Sequence, residues 1–308
     1  MSALLTARQQ MRIQKRRRVP FEIERGKTMI RPVIYAKTAL DRSQLTDRIS
    51  RGASGIELQL LPDNYKNGDF NADREAIRDF SPFIQAIHLP IDSCDITDVP
   101  DNLSSIGKTI NSFYIDKKLV VIFHLMNSAY RLDYVRRSVE DAMKTLFTAF
   151  PKLEIAIENT TPYDNGDKLF RNAFHFETVE FVENMKWMFG DKVGTVLDTC
   201  HAMISLKYMQ HMNGLYPSVE PAEYAMEKFF EANKDTCKII HLSSIDGNGL
   251  GMGHGVSLHD AREAGRFLDL YTRYGYDAGV TIEVYEDDFA YGKNFSTTSS
   301  FIDEAAGR

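Results

Sequence analysis

From residue 28 onward two hydrophobic rhythms alternate along the chain. Short, nearly continuous apolar and β-branched runs recur, and longer segments with a period near 3.6 residues separate them. Uninterrupted apolar runs suit strands covered on both faces, and the 3.6 period marks amphipathic helices. The pattern predicts strands over Ile30–Ala36, Gly55–Leu60, Gln85–Leu89, Leu119–Leu125, Glu154–Glu158, Gly194–Asp198, Lys238–Leu242 and Val280–Val284. A helix is predicted over Tyr130–Phe150, with Leu132, Val135, Val139, Met143, Leu146 and Phe147 along one stripe. Further helices are predicted over Phe176–Phe189, stopping at Gly190, over Pro221–Asn233, opening on proline, and over Asp260–Tyr274, stopping at Gly275. Eight strands alternating with helices in about 280 residues predict an α/β fold, a single-domain (β/α)8 TIM barrel over residues 28–308. A doubly wound open sheet is the structural alternative.

Composition adds limits. The 308 residues are 43% hydrophobic and 26% charged, the balance of a globular chain that needs no disulfide framework. No apolar run approaches the roughly 18 residues of a membrane span. The three cysteines, Cys94, Cys200 and Cys237, are scattered with no CxxC pair, which fits a reducing compartment; a cytoplasmic location is the expectation. The net charge of −6 is unevenly spread: residues 1–27 carry eight Lys/Arg against Glu22 and Glu24, leaving −12 on the remainder. This segment reads as a basic N-terminal arm, expected to be flexible and solvated, with nucleic acid or another anionic partner as its alternative use.

The informative residues stand at strand ends. Consecutive strands finish with Ala-Ile-His88-Leu-Pro, Val-Ile-Phe-His124-Leu, Ile-Ala-Ile-Glu158-Asn, Val-Leu-Asp198-Thr-Cys-His201, Ile-Ile-His241-Leu and Val-Thr-Ile-Glu283-Val. In a TIM barrel those ends converge on one mouth. Carboxylates gathered there repel one another unless protonated or neutralised by cations. A mixed imidazole and carboxylate set suits divalent metals, Zn²⁺ first, with Mn²⁺ or Fe²⁺ as alternatives. Glu57, ending the second strand, is a candidate substrate contact. The stretch Asp246-Gly-Asn-Gly-Leu-Gly251-Met-Gly253-His254-Gly follows the seventh strand, where TIM barrels often hold phosphate through backbone N–H groups. Asp246, Gly251 and Gly253 are its candidate phosphate contacts.

The segments Val193-Gly-Thr-Val-Leu-Asp198-Thr-Cys-His201-Ala and Ile157-Glu158-Asn-Thr, with His88-Leu-Pro and the strand-end His124, resemble the xylose isomerase-like TIM barrel superfamily. Within it they are most similar to the endonuclease IV family (AP endonuclease family 2). The resemblance spans roughly residues 30–290. It implies two to three metal ions per chain: Glu158 bridging two, His88 and His124 completing the first, and Asp198, His241 and Glu283 completing the second. His201 and His254 would serve a third. Where the endonucleases carry an Asp two residues before that last histidine, this chain has Met252. The activity implied first is phosphodiester hydrolysis on abasic-site DNA, by a water activated between two metals. The sugar isomerases and epimerases of the same superfamily imply a second reading: Glu158, Asp198, His241 and Glu283 around one metal. Glu158 and Glu283 would then exchange protons with a carbon beside the carbonyl of a small sugar or sugar phosphate. In that case His88, His124 and His201 would be substrate contacts.

Overall fold

A computed structural model describes residues 29–307, except 63–69, 71–72, 91–94, 127, 162, 166–167, 171–174, 214–220 and 247–253. The basic arm, Cys94, Gly251, Met252 and Gly253 therefore lie outside the described residues.

Eight parallel strands close into a barrel: β1 (Ile34–Thr38), β2 (Gly55–Gln59), β3 (Ile84–His88), β4 (Leu119–His124), β5 (Leu153–Glu158), β6 (Val193–Asp198), β7 (Cys237–Leu242) and β8 (Gly279–Ile282). Each pairs with its neighbours in sequence, and β8 closes on β1 through Ile34↔Val280 and Ala36↔Ile282. The expected strands are all present, and the open-sheet alternative falls with the closure. β1 begins at Ile34 rather than Ile30. Pro32 has no N–H to give a ladder, and the Ile30 N–H goes instead to Thr272 Oγ1 at 3.0 Å.

The predicted helices form over Asp133–Ala149, His175–Phe189, Pro221–Asn233 and Ala261–Arg273. The last is capped by Asp260, whose carboxylate accepts from the Glu263 N–H, so the helix starts one residue after the sequence pattern does. Helices over Arg42–Ser50, Val99–Phe113, Thr199–Asn213 and Lys293–Ala305 were not singled out by periodicity. No helix among the described residues is long and apolar enough to cross a membrane.

Two apolar layers hold the structure. The larger lies between barrel and helices and includes Ile56, Leu58, Phe113, Phe123, Val139, Leu268 and Phe295. The smaller, Ala86, Val120, Ile122, Ala156, Val196 and Ile239, plugs the barrel interior. The interior residues alternate along each strand, so the next inward position above Ala86, Ile122, Ala156, Val196 and Ile239 is His88, His124, Glu158, Asp198 and His241, respectively. An apolar floor thus sits directly beneath a polar layer.

Tyr35 fills space left by two glycines. A Cβ at Gly279 would lie 2.2 Å from Tyr35 Cε2, and one at Gly55 2.7 Å from its Cδ1. Gly279→Ala is expected to cost about 1–3 kcal/mol by overpacking. Denaturant unfolding measures it, and an unchanged midpoint would show that the ring shifts freely.

Candidate metal centre

The polar layer is built from the last inward residue of several strands. β5 delivers Glu158, 1% exposed, to the middle. Its Oε2 lies 3.1 Å from His88 Nε2 and 3.4 Å from His124 Nε2. Its Oε1 lies 3.1 Å from His201 Nδ1 and 3.5 Å from His241 Nδ1. His241 Nδ1 also faces Asp198 Oδ2 at 3.7 Å and Glu283 Oε2 at 2.9 Å. The ring of His254 packs on that of His201 with centroids 4.7 Å apart. All eight residues expected as metal ligands are therefore in one cluster.

Local hydrogen bonding orients the candidate ligand atoms. Asp198 ends β6 and opens the helix Thr199–Asn213, so its Oδ1 accepts the His201 N–H at 2.7 Å as an N-terminal cap. Its Oδ2 is left facing the cluster. The Asn159 side chain clamps the Asp198 backbone from both sides, accepting its N–H at 2.7 Å and donating to its carbonyl at 3.0 Å. His201 Nδ1 is 2.8 Å from the Asn159 carbonyl, which accepts its proton when Nδ1 carries one and leaves Nε2 free.

Donors of this kind fit a divalent ion, and the hydrogen bonding says the same. Both oxygens of Glu158, Asp198 Oδ2, His241 Nδ1 and Glu283 Oε2 are buried and, although these imidazole nitrogens and carboxylate oxygens stand as close as 2.9 Å, none makes a well-aligned hydrogen bond. Buried polar atoms are normally satisfied, so several orphans facing one point need an explanation, and an ion supplies it. The same residues, Glu158, Asp198, His241 and Glu283, offer ligand atoms within 4.8 Å of one another. So do the groups His88, His124, Glu158 and Asp198, His201, His254.

The electrostatics follow from burial against charge. Burial pushes Glu158 and Glu283 up, but the neighbouring histidines and Lys37 outweigh it and hold both carboxyls well below the usual range. Burial pushes His201 down, yet Asp198 and Glu158 raise it to about 9. His241 rises well above its ordinary value against Glu57, Glu158 and Glu283. For His124 and His254 burial wins, and both fall below.

Three observations depart from the sequence pattern. Lys37 was outside the predicted first strand, but β1 continues to Thr38 and sends Lys37 inward, to 2.8 Å from Glu283 Oε1 and 3.6 Å from Glu57 Oε1. The signal was present: Lys37 is two residues from the inward Tyr35. Glu57, expected to meet substrate, is 0% exposed and lies under the histidines, bonded to His88, His241 and Thr281. Asp246 is exposed and joins none of the ligand groups among the described residues. Cys200, between two candidate ligands, packs with Ile204 and Ile245, and burial pushes its thiol up.

No family model and no curated protein matches the chain. Solved structures do. A 3-keto-D-glucoside 4-epimerase from E. coli aligns with a TM-score of 0.55 at 12% identity, over 89% of this chain and 99% of its own. A D-allulose 3-epimerase from Methylomonas sp., in complex with D-allulose, aligns with a TM-score of 0.52 at 14% identity, over 91% and 96%. A probable 3-DHS dehydratase from Bacillus anthracis aligns with a TM-score of 0.52 at 12% identity, over 88% and 98%. At such identities the likeness is one of fold: the chain is a single-domain (β/α)8 TIM barrel, the architecture of the superfamily whose strand-end motifs its sequence resembles.

Proposed function

We propose that the protein is a metal-dependent isomerase or epimerase acting on a small sugar or sugar phosphate. The observation that carries this reading is the set of orphaned, converging atoms on Glu158, Asp198, His241 and Glu283. Two of its members are glutamates, Glu158 ending β5 and Glu283 just past β8, with β6 and β7 between them, and Glu283, 16% exposed on its side chain, is the one nearer the mouth. A divalent ion held by these four would polarise a substrate carbonyl. Glu158 and Glu283 would face the carbon beside that carbonyl, one accepting its proton and the other returning one. The buried histidines exclude water around them and hold hydroxyl groups. Two observations support ranking phosphodiester hydrolysis on abasic-site DNA second: the epimerases named above share the fold, and the −12 carried by residues 28–308 opposes a polyanion. One observation favours that second reading: His88, His124 and Glu158 form a further ligand group that a one-metal reaction does not need.

The test is hydrogen exchange. Protein stripped with EDTA and reloaded with Mn²⁺ or Zn²⁺ is incubated in D₂O with a panel of ketoses and ketose phosphates. Deuterium at the carbon beside the carbonyl, absent with Glu283→Gln, is the expected result. No exchange on any sugar, with metal-dependent incision of an abasic-site duplex, would replace the proposal with the hydrolytic one.

A further inference from the structure

Below the converging ligand atoms is a second polar layer that neither reading uses. At its centre is Glu57. Its Oε1 lies 3.1 Å from His88 Nδ1, and its Oε2 lies 2.9 Å from both His241 Nε2 and Thr281 Oγ1. Lys37, the register partner of Glu57 across β1 and β2, brings its ammonium to 3.6 Å. The two imidazoles come from β3 and β7, with ring centroids 5.5 Å apart.

Each histidine turns its other nitrogen the opposite way. His88 Nε2 faces Glu158 Oε2 and His241 Nδ1 faces Glu158 Oε1. A neutral imidazole carries one N–H and one lone pair. A carboxylate that takes the N–H of each ring therefore leaves the lone pair of each on the ligand side. We infer that Glu57 is a shared positioning residue, one carboxylate that sets the orientation and tautomer of His241, in the four-residue ligand group, and of His88, beside it, with Lys37 balancing its charge. Glu57 is not itself a ligand, although its oxygens lie within 4.8 Å of the histidine nitrogens. Both its oxygens already accept hydrogen bonds, whereas His241 Nδ1, on the far side of the ring, faces Glu158, Asp198 and Glu283 without a well-aligned hydrogen bond. The inference rests on the metal reading above.

The experiment is a Zn²⁺ titration of EDTA-stripped protein by chelator competition, with Glu57→Ala and Glu57→Gln beside the wild type. Long-range ¹H–¹⁵N correlation of the loaded proteins reads the tautomers. Wild type is expected to show His88 protonated at Nδ1 and His241 at Nε2. Glu57→Ala should take up the same number of ions at saturation, about 10–100-fold more weakly. Glutamine keeps the shape but can accept from only one of the two imidazoles, so Glu57→Gln should keep one histidine's tautomer, change the other's, and bind Zn²⁺ with an affinity between those of wild type and Glu57→Ala. It carries the test alone if the alanine variant does not fold. Unchanged affinity in the variants overturns the inference. Loss of a whole ion at saturation also overturns it, because Glu57 would then be a ligand. Wild-type protein that binds no ion overturns the metal reading and this inference together, an outcome distinct from both.

Discussion

Glu158→Gln should empty the centre: ion affinity falls by at least about 100-fold, and turnover by about 10³-fold or more, the scale of losing both a ligand and an acid–base group. Glu158 belongs both to the group with His88 and His124 and to the group with Asp198, His241 and Glu283. Glu158 approaches His88, His124, His201 and His241 within 3.1–3.5 Å. Glutamine preserves the volume and the barrel packing, so the fold survives. It removes the charge and puts an NH₂ where a lone pair is required. The expected measurement is metal content of stripped and reloaded protein by elemental analysis, with deuterium exchange on the same samples. Full metal content and turnover within about threefold of wild type would show that the centre is organised around another residue.

The second large effect is a pH dependence that changes sign with metal. In the metal-free protein His201 is raised from 6.5 to about 9, and His241 is raised well above its ordinary value. A group whose folded-state pKa is raised stabilises the fold fully below its unfolded pKa, and that stability is lost as pH rises through the folded pKa. The metal-free protein should therefore lose stability between about pH 6.5 and 9. His201 alone accounts for up to about 3 kcal/mol, at 1.36 kcal/mol per pKa unit. The depressed groups do not oppose this trend. His124 and His254 act below pH 6.5, and the carboxylates act lower still. An ion displaces the imidazole protons, so metal affinity rises over the same interval and binding releases protons. Thermal unfolding in EDTA and in saturating Zn²⁺, from pH 6 to 9, checks both arms. A flat profile in EDTA would mean that these histidines are neutral in the folded protein without metal.

How much of this was legible in the sequence depends on the kind of residue. The eight strands were readable because a buried parallel strand is almost wholly apolar, and β3 to β7 were placed to within one residue at either end. The candidate ligand set was readable for a related reason. A His, Asp or Glu that interrupts an apolar run at its C-terminal end stands out, and the fold brings all such ends to one mouth. The helices over Val99–Phe113 and Lys293–Ala305 were less visible, since their serines, threonines and asparagines dilute the apolar stripe.

The sequence by itself therefore determined the barrel and which candidate residues cluster at its mouth, because both depend on local alternation along single strands. Only the tertiary structure decided how those residues divide the work. Glu57 interrupts an apolar strand just as His88 does, yet it stands two residues before the end of β2 and lies below the candidate ligand atoms rather than among them. Lys37 looked like the first polar residue beyond a strand, yet it sits inside the barrel against two carboxylates. Height within the barrel is set by strand stagger and by inter-strand register, such as Lys37↔Glu57 and Asp198↔His241. Register is a relation between strands that are often far apart in sequence, as Asp198 and His241 are. No pattern along either strand carries it, so the layering of the centre appears only once the sheet closes.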